Sequence, residues 1–186
     1  MSPKRLFDIL VSGFALLALS PVFLLIAVLI KLDTRGPVFF RQNRVGLGGD
    51  PFRIFKFRSM VVDAPKLGPF YTSDNDPRIT RVGKILRKTS LDELPQLLNV
   101  FLGDMSIVGP RPNVFEQRSQ YTEEEWTLRN SVLPGITGLA QATKRSAATV
   151  EERNALDLDY VRRSSILMDL RLILMTVRQV VFTGGN

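Results

Sequence analysis

Asp92 and Glu93 stand side by side within Ser90-Leu91-Asp92-Glu93-Leu94-Pro95-Gln96-Leu97, in a chain that has no histidine and no cysteine. Those absences exclude a Ser-His-Asp triad, a Cys-His pair, a zinc cluster and any histidine general base. Carboxylate, lysine, hydroxyl or hard-metal chemistry is what is left. An adjacent carboxylate pair can hold magnesium against phosphate oxygens, and an aspartate kept ionised there can attack phosphorus and form an acyl phosphate. The same residues also fit a structural role. Ser90 with Glu93 three positions on matches a helix capping box, with Asp92 complementing the helix dipole, and the spacing leaves both readings open.

Cations available to a phosphate flank the pair. Pro51 to Arg58 reads as a strand in which Phe55 and Phe57 share one face and Lys56 and Arg58 the other, as on a basic sheet edge. Val38-Phe39-Phe40 reads as its partner strand, across a turn from Gly46 to Asp50. After the turn signature Asp74-Asn75-Asp76-Pro77, the residues Arg78, Arg81, Lys84, Arg87 and Lys88 form a basic ridge on a helix, facing lipid phosphate, water or substrate. In Gly103 to Pro112, read as a loop, two prolines stiffen the backbone around Arg111.

Other elements must hold these groups in place. Leu91, Leu94, Leu97, Leu98 and Phe101 follow helical spacing, which predicts a buried helix carrying the acid pair at its start. Tyr121 to Asn130 reads as an acidic, exposed helix capped by Thr122, with no chemistry assigned. Leu133 to Gln141 is a turn by itself, and near an anionic substrate a phosphate cradle, with Lys144 and Arg145 just beyond. Val150 to Tyr160 and Ile166 to Phe182 read as helices, the second amphipathic and suited to a membrane interface or to core packing.

From Ile9 to Ile30 no residue is charged, and as a helix this segment would extend about 33 Å, close to the hydrocarbon thickness of a bilayer. It is expected to enter a membrane, and its exit, Leu32-Asp33-Thr34-Arg35, has no signal-peptide cleavage site. Lys4 and Arg5 before it and Lys31 and Arg35 after it favour the same side of the membrane. Ser20-Pro21 interrupts the helix near its middle, where the serine can occupy a backbone group that proline frees. A re-entrant helix is favoured over a kinked spanning one.

The 186 residues suit one domain with a moderate core, and 45% of them are apolar. The net charge is +7, and residues 1–90 hold 15 basic and 6 acidic side chains against 10 and 12 in residues 91–186. An N-terminal field of this kind attracts polyanions, whether nucleic acid, anionic lipid or small-molecule phosphate.

Five motifs occur in order: Ser20-Pro21 in the apolar segment, KFRSM from Lys56, DPRITRVGKILRKTSLDELPQLLNV from Asp76, GDMSIVGPRP from Gly103 and PGITGLAQ from Pro134. Together the chain resembles the bacterial monotopic phosphoglycosyl transferases, over nearly its whole length and in their minimal catalytic-core form. The resemblance implies an α+β, mostly helical fold. In it a re-entrant membrane helix, 1–35, precedes a cytosolic catalytic unit, 36–186, with a small β-hairpin and interfacial amphipathic helices.

It also implies magnesium-dependent transfer of a phosphosugar from a UDP-sugar to polyprenol (undecaprenyl) phosphate, with release of UMP through a covalent intermediate. This would be the first membrane step of a glycoconjugate, on the cytoplasmic face of the bacterial inner membrane. Asp92 then resembles the nucleophile and a metal contact, and Glu93 its partner in metal binding or the acceptor step. Lys56, Arg87, Arg111 and Arg145 match basic positions of the family and, with Arg58, are the candidate phosphate contacts. Leu133, Thr143-Lys144 and Asp159 depart from the usual pattern and bear on sugar or acceptor preference. Membrane lipid and a second copy of the chain are the expected partners, and nucleic acid is not. Two rivals are a non-catalytic basic membrane module for anionic lipid or nucleic acid, and a transferase that moves only the sugar and releases UDP.

Overall fold

The structure, a computed structural model, describes residues 2–68, 76–144 and 147–183. Helix α1 (Pro3–Ala18) starts at Ser2, whose hydroxyl accepts from the Arg5 N–H at 3.3 Å, with Pro3 in the first turn where its missing N–H is harmless. Helix α2 (Ser20–Asp33) follows at an angle of 59°. The bend has a local cause. Pro21 has no N–H for the Leu17 carbonyl four residues back, and the Ser20 hydroxyl donates to that carbonyl instead, at 2.8 Å. Among the described residues no single helix is long and apolar enough to cross a membrane, although the bent pair is so when taken together.

One face of α1 is fixed to the protein. Asp8, only 1% exposed, accepts from the Ser106 hydroxyl at 3.1 Å and the Ile107 N–H at 2.9 Å. Arg5 donates to the carbonyls of Val100 and Phe101, at the end of helix α5 (Gln96–Leu102). The opposite face leaves Leu10, Phe14 and Leu17 exposed, and α2 adds Leu24, Leu25 and Leu32.

Strands β1 (Phe39–Val45) and β2 (Pro51–Phe57) form the expected antiparallel hairpin, with β1 continuing well past Phe40. The register sets Phe40 opposite Lys56 and Arg44 opposite Phe52, so Arg44 and Lys56 share a face. Buried Asn99 of α5 binds the free edge of β2: its Oδ1 accepts from the Phe55 N–H at 2.9 Å and its Nδ2 donates to the Arg53 carbonyl at 2.8 Å. A side chain thus does what a third strand would.

A second sheet lies in segments whose sequences read as a loop and a turn. β3 (Ser106–Val108) and β4 (Gly135–Thr137) pair in parallel, extended by the Gly109 N–H to the Thr137 carbonyl at 2.8 Å and the Gly135 N–H to the Pro110 carbonyl at 2.9 Å. The second of these bonds takes up the Gly135 amide, one of those a phosphate cradle in this stretch would offer. The stretch from Pro134 is therefore a buried strand running into helix α7 (Leu139–Thr143), and a Cβ on Gly135 would lie 2.0 Å from the Gly109 nitrogen.

Helix α4 (Arg81–Lys88) carries most of the basic ridge, but Arg78 precedes it and is buried against Asp76 at 2.6 Å. Asp74 and Asn75 of the turn signature lie outside the described residues. Helix α6 (Glu123–Arg129) has a true capping box between Thr122 and Glu125. Its exposed acidic start matches the expectation, whereas its last residue, Arg129, is 2% exposed and pairs with Asp157 of helix α8 (Val150–Arg163). Helix α9 (Ile166–Thr183) places Leu172 in the core, as the packing alternative expects, and leaves Leu167 and Leu174 exposed.

One core cluster joins Ile54, Leu97, Val100, Met105, Val108, Tyr160 and Leu172, and a second joins Ile26 and Ile30 of α2 to Phe57 and Leu86. Leu91 and Leu94, on either side of the acid pair, pack on the second cluster. Because Gly135 meets the Gly109 backbone so closely, Gly135→Ala is expected to lower stability by about 3 kcal/mol, read from denaturant unfolding. An unchanged midpoint would mean that these strands do not approach as described.

Candidate functional site

The acid pair does not begin a helix in the expected way. Ser90 adopts a left-handed conformation, φ 58° and ψ 15°, and it is the one non-glycine residue with positive φ among the described residues. Its side chain makes no capping bond, and a short 3-10 turn, Leu91–Glu93, carries the carboxylates before Pro95 admits α5. The capping-box reading therefore fails. The backbone holds the turn, with the Glu93 N–H donating to the Ser90 carbonyl at 3.2 Å, and the Glu93 side chain is drawn elsewhere. Such strain in a residue that is neither glycine nor asparagine is a feature of functional sites.

Glu93 is clamped between two cations. Lys56 Nζ donates to Oε1 at 2.6 Å, Arg111 Nη2 donates to Oε1 at 2.5 Å, and Arg111 Nη1 donates to Oε2 at 3.2 Å. Burial alone would raise the Glu93 carboxyl, but Arg111 and Lys56 overcome it and hold Glu93 well below the usual carboxylate range. Burial lowers Lys56, while Glu93 chiefly raises Arg111.

Asp92 has the opposite environment. It is 7% exposed, and its carboxylate accepts no hydrogen bond and forms no ion pair among the described residues. Burial pushes it above the usual aspartate range; Lys56, Arg87 and Arg111 oppose that rise and the charge of Glu93 adds to it. Two neighbouring carboxylates are thus driven apart, one firmly ionised and bonded, the other uncommitted.

Of the expected phosphate contacts, the structure brings Lys56 and Arg111 onto Glu93 and places Arg87, at the end of α4, within electrostatic range of Asp92. Arg58 lies apart. Its guanidinium donates to the Thr34 carbonyl and hydroxyl, both at 2.8 Å, and to the Arg35 carbonyl at 2.9 Å, closing the end of α2. Sequence alternation put Arg58 on the face of Lys56, but β2 ends at Phe57 and the chain turns there. Arg145 lies outside the described residues.

Two positions, Arg129 and Arg44, went unnoticed in the sequence. Arg129 donates to the Arg111 carbonyl at 2.6 Å while held by Asp157, so a fully buried ion pair positions the Arg111 backbone. Arg44 reaches the Pro112 carbonyl at 3.2 Å. Extending the β1 alternation from Phe40 would have placed Arg44 beside Lys56, whereas nothing local marked Arg129.

As to a metal, among the described residues no group of three or more acidic side chains gathers. Both Glu93 oxygens are engaged, while both Asp92 oxygens are available. Magnesium commonly takes one or two carboxylates and completes its shell with water and substrate phosphate, which a single aspartate here fits.

Known proteins share this chain's sequence closely. The family model for bacterial sugar transferase matches residues 1–183. The exopolysaccharide production protein PSS of Rhizobium leguminosarum bv. phaseoli is 49% identical over 186 residues, covering 94% of this chain and 92% of that protein. The UDP-glucose:undecaprenyl-phosphate glucose-1-phosphate transferase of Klebsiella pneumoniae is 46% identical over 181 residues, covering 94% of this chain and 39% of that protein. The UDP-N-acetylgalactosamine-undecaprenyl-phosphate N-acetylgalactosaminephosphotransferase of Aeromonas hydrophila is 43% identical over 190 residues, 98% of this chain and 44% of that protein. The chain spans about two fifths of the length of these two named transferases. On the match across almost all of its residues, the chain belongs to the bacterial sugar transferase family.

Proposed function

We propose that this chain transfers a phosphosugar from a UDP-sugar to polyprenol phosphate and releases UMP, with Asp92 as nucleophile. The observation that carries the reading is Asp92 itself: a buried carboxylate with no partner among the described residues, beside a glutamate held by Lys56 and Arg111. The activities for which the Klebsiella and Aeromonas relatives are named support this chemistry over a non-catalytic lipid or nucleic-acid module.

An Asp92 oxygen attacks the β-phosphorus, the bond from that phosphorus to the bridging oxygen breaks, and UMP leaves with the bridging electrons. A polyprenol phosphate oxygen then attacks the same phosphorus and returns Asp92 to a carboxylate. Burial removes water that would solvate the carboxylate, which makes it a better nucleophile. Lys56 and Arg111, held in place by Glu93, supply positive charge that needs no reorganisation as phosphate charge shifts. Asp92 would hold a magnesium ion, which when bound offsets diphosphate charge. Glu93 acts by fixing the two cations.

The bent pair α1–α2 enters the cytoplasmic leaflet and returns, its exposed leucines and Phe14 in lipid and the cationic ends on one side. The chain thereby sits on the inner membrane, where it begins a glycoconjugate on its lipid carrier.

With UDP-glucose, UDP-N-acetylgalactosamine and related donors, UMP rather than UDP is expected as the released nucleotide. Asp92→Asn should cut turnover by at least about a thousandfold. Its folded-state pKa is raised, so the stability Asp92 contributes exists only at low pH and is lost as pH rises through that value. At neutral pH Asp92→Asn should therefore melt no lower than wild type; active Asp92→Asn, or a large loss of melting temperature, would refute the assignment.

Glu93→Gln should behave differently, because it leaves Lys56 and Arg111 without their counter-charge. A loss of about 2–3 kcal/mol is expected at neutral pH. The depressed Glu93 pKa means that the wild type loses this stability as pH falls from about 4.5 downward, so the two proteins should converge in acid. Parallel stability curves at all pH values would contradict the clamp.

Since the chain has no cysteine, Ser2→Cys and Leu47→Cys can be labelled singly without background. Both should react with an impermeant thiol reagent from the cytoplasmic side alone. Labelling from opposite sides would establish a spanning helix.

A further inference from the structure

Arg44 is a half-buried cation whose hydrogen-bond partners are all neutral. Nη1 donates to the Pro112 carbonyl at 3.2 Å and Nη2 to Gln42 Oε1 at 2.8 Å, whereas Nε is buried with no partner among the described residues. Among the described residues it forms no ion pair. The carboxylates that it senses are Glu93, already committed to Lys56 and Arg111, and the exposed Glu116.

Buried charges are normally paired, because desolvation without a counter-charge is costly. Burial and the neighbouring Arg111 pull Arg44 down to about 10, a sign of a cation lacking its anion. The Nη1 bond ties the hairpin to the Arg111 loop and the Nη2 bond stays within β1, but neither supplies a counter-charge. The hairpin register sets this guanidinium on the face of Lys56, and its repulsion by Arg111 brings it into the same group of cations.

We propose that Arg44 is a further phosphate-contacting residue, its guanidinium exchanging the neutral Gln42 acceptor for an oxygen of bound substrate phosphate. This inference rests on the transfer reading above and deepens it. The phosphate belongs either to the UDP-sugar or to the polyprenyl acceptor, whose chemistry at this group is the same.

The test uses the full chain in membranes, with Arg44→Gln and Arg44→Lys beside wild type. UMP release is measured with UDP-sugar varied at saturating polyprenol phosphate, and then the reverse. Arg44→Gln is expected to raise KM for one substrate by about tenfold or more while the other stays within about twofold, with partial recovery in Arg44→Lys. The substrate whose KM moves identifies the source of the phosphate. If neither KM changes, even with a lower kcat or melting temperature, Arg44 is a structural tie and the assignment fails. Should Arg44→Gln not fold, Arg44→Lys, which keeps the charge but loses the fork, decides by the same comparison. If wild type releases UMP from no donor, the transfer reading falls and takes this assignment with it; wild-type turnover with unchanged KM values in the variants removes the assignment alone.

Discussion

A carboxylate buried between two cations sets the order of this structure. Glu93 needs both Lys56 and Arg111, because its shielding from water without them would be unfavourable, and Lys56, shielded to a similar degree, needs Glu93 in turn. Three distant segments are thus fixed at one point: strand β2, the 3-10 turn after α4, and the proline-flanked loop after β3. Supporting contacts lie outside this cluster. Asn99 holds β2 against α5, and Arg129 with Asp157 holds the Arg111 carbonyl. With Glu93 so occupied, Asp92 is the member of the pair left for chemistry.

Much of the site was legible from residue type. The absence of histidine and cysteine made the acid pair the natural centre, and strand alternation pointed to Lys56. What misled was local pattern competing with distant charge. Ser90 and Glu93 carry the signature of a capping box, whose bond is worth about 1 kcal/mol. Hydrogen bonds between charged groups are each worth about 1.5–3 kcal/mol, and Glu93 makes them with Lys56 and Arg111. The longer-range partners prevail, and no local rule carries that information.

The fold was legible in its long elements and obscure in its short ones. The bend at Ser20-Pro21, the hairpin and the C-terminal helices follow from proline chemistry and periodicity. Strands β3 and β4 are three residues each, too short to show alternation, and their pairing depends on glycines 26 positions apart meeting backbone to backbone. Arg58 shows the reverse error, since alternation was extended one residue beyond the strand. The acid pair rests through Leu91 and Leu94 on α2, so the apolar helices and the chemical centre share a core.

Asp8 has a bearing on how the molecule is assembled. It joins α1 to Ser106 and Ile107 across 98 residues or more, a closure whose entropy alone is roughly 4 kcal/mol by chain-length scaling. During synthesis the first helix leaves the ribosome long before the backbone that will receive its carboxylate. Until then the helix has an exposed apolar side and, on the other, an acid without its partners. The first helix is therefore locked only by a part of the chain made much later, so that its docking and the closure of the core become one event.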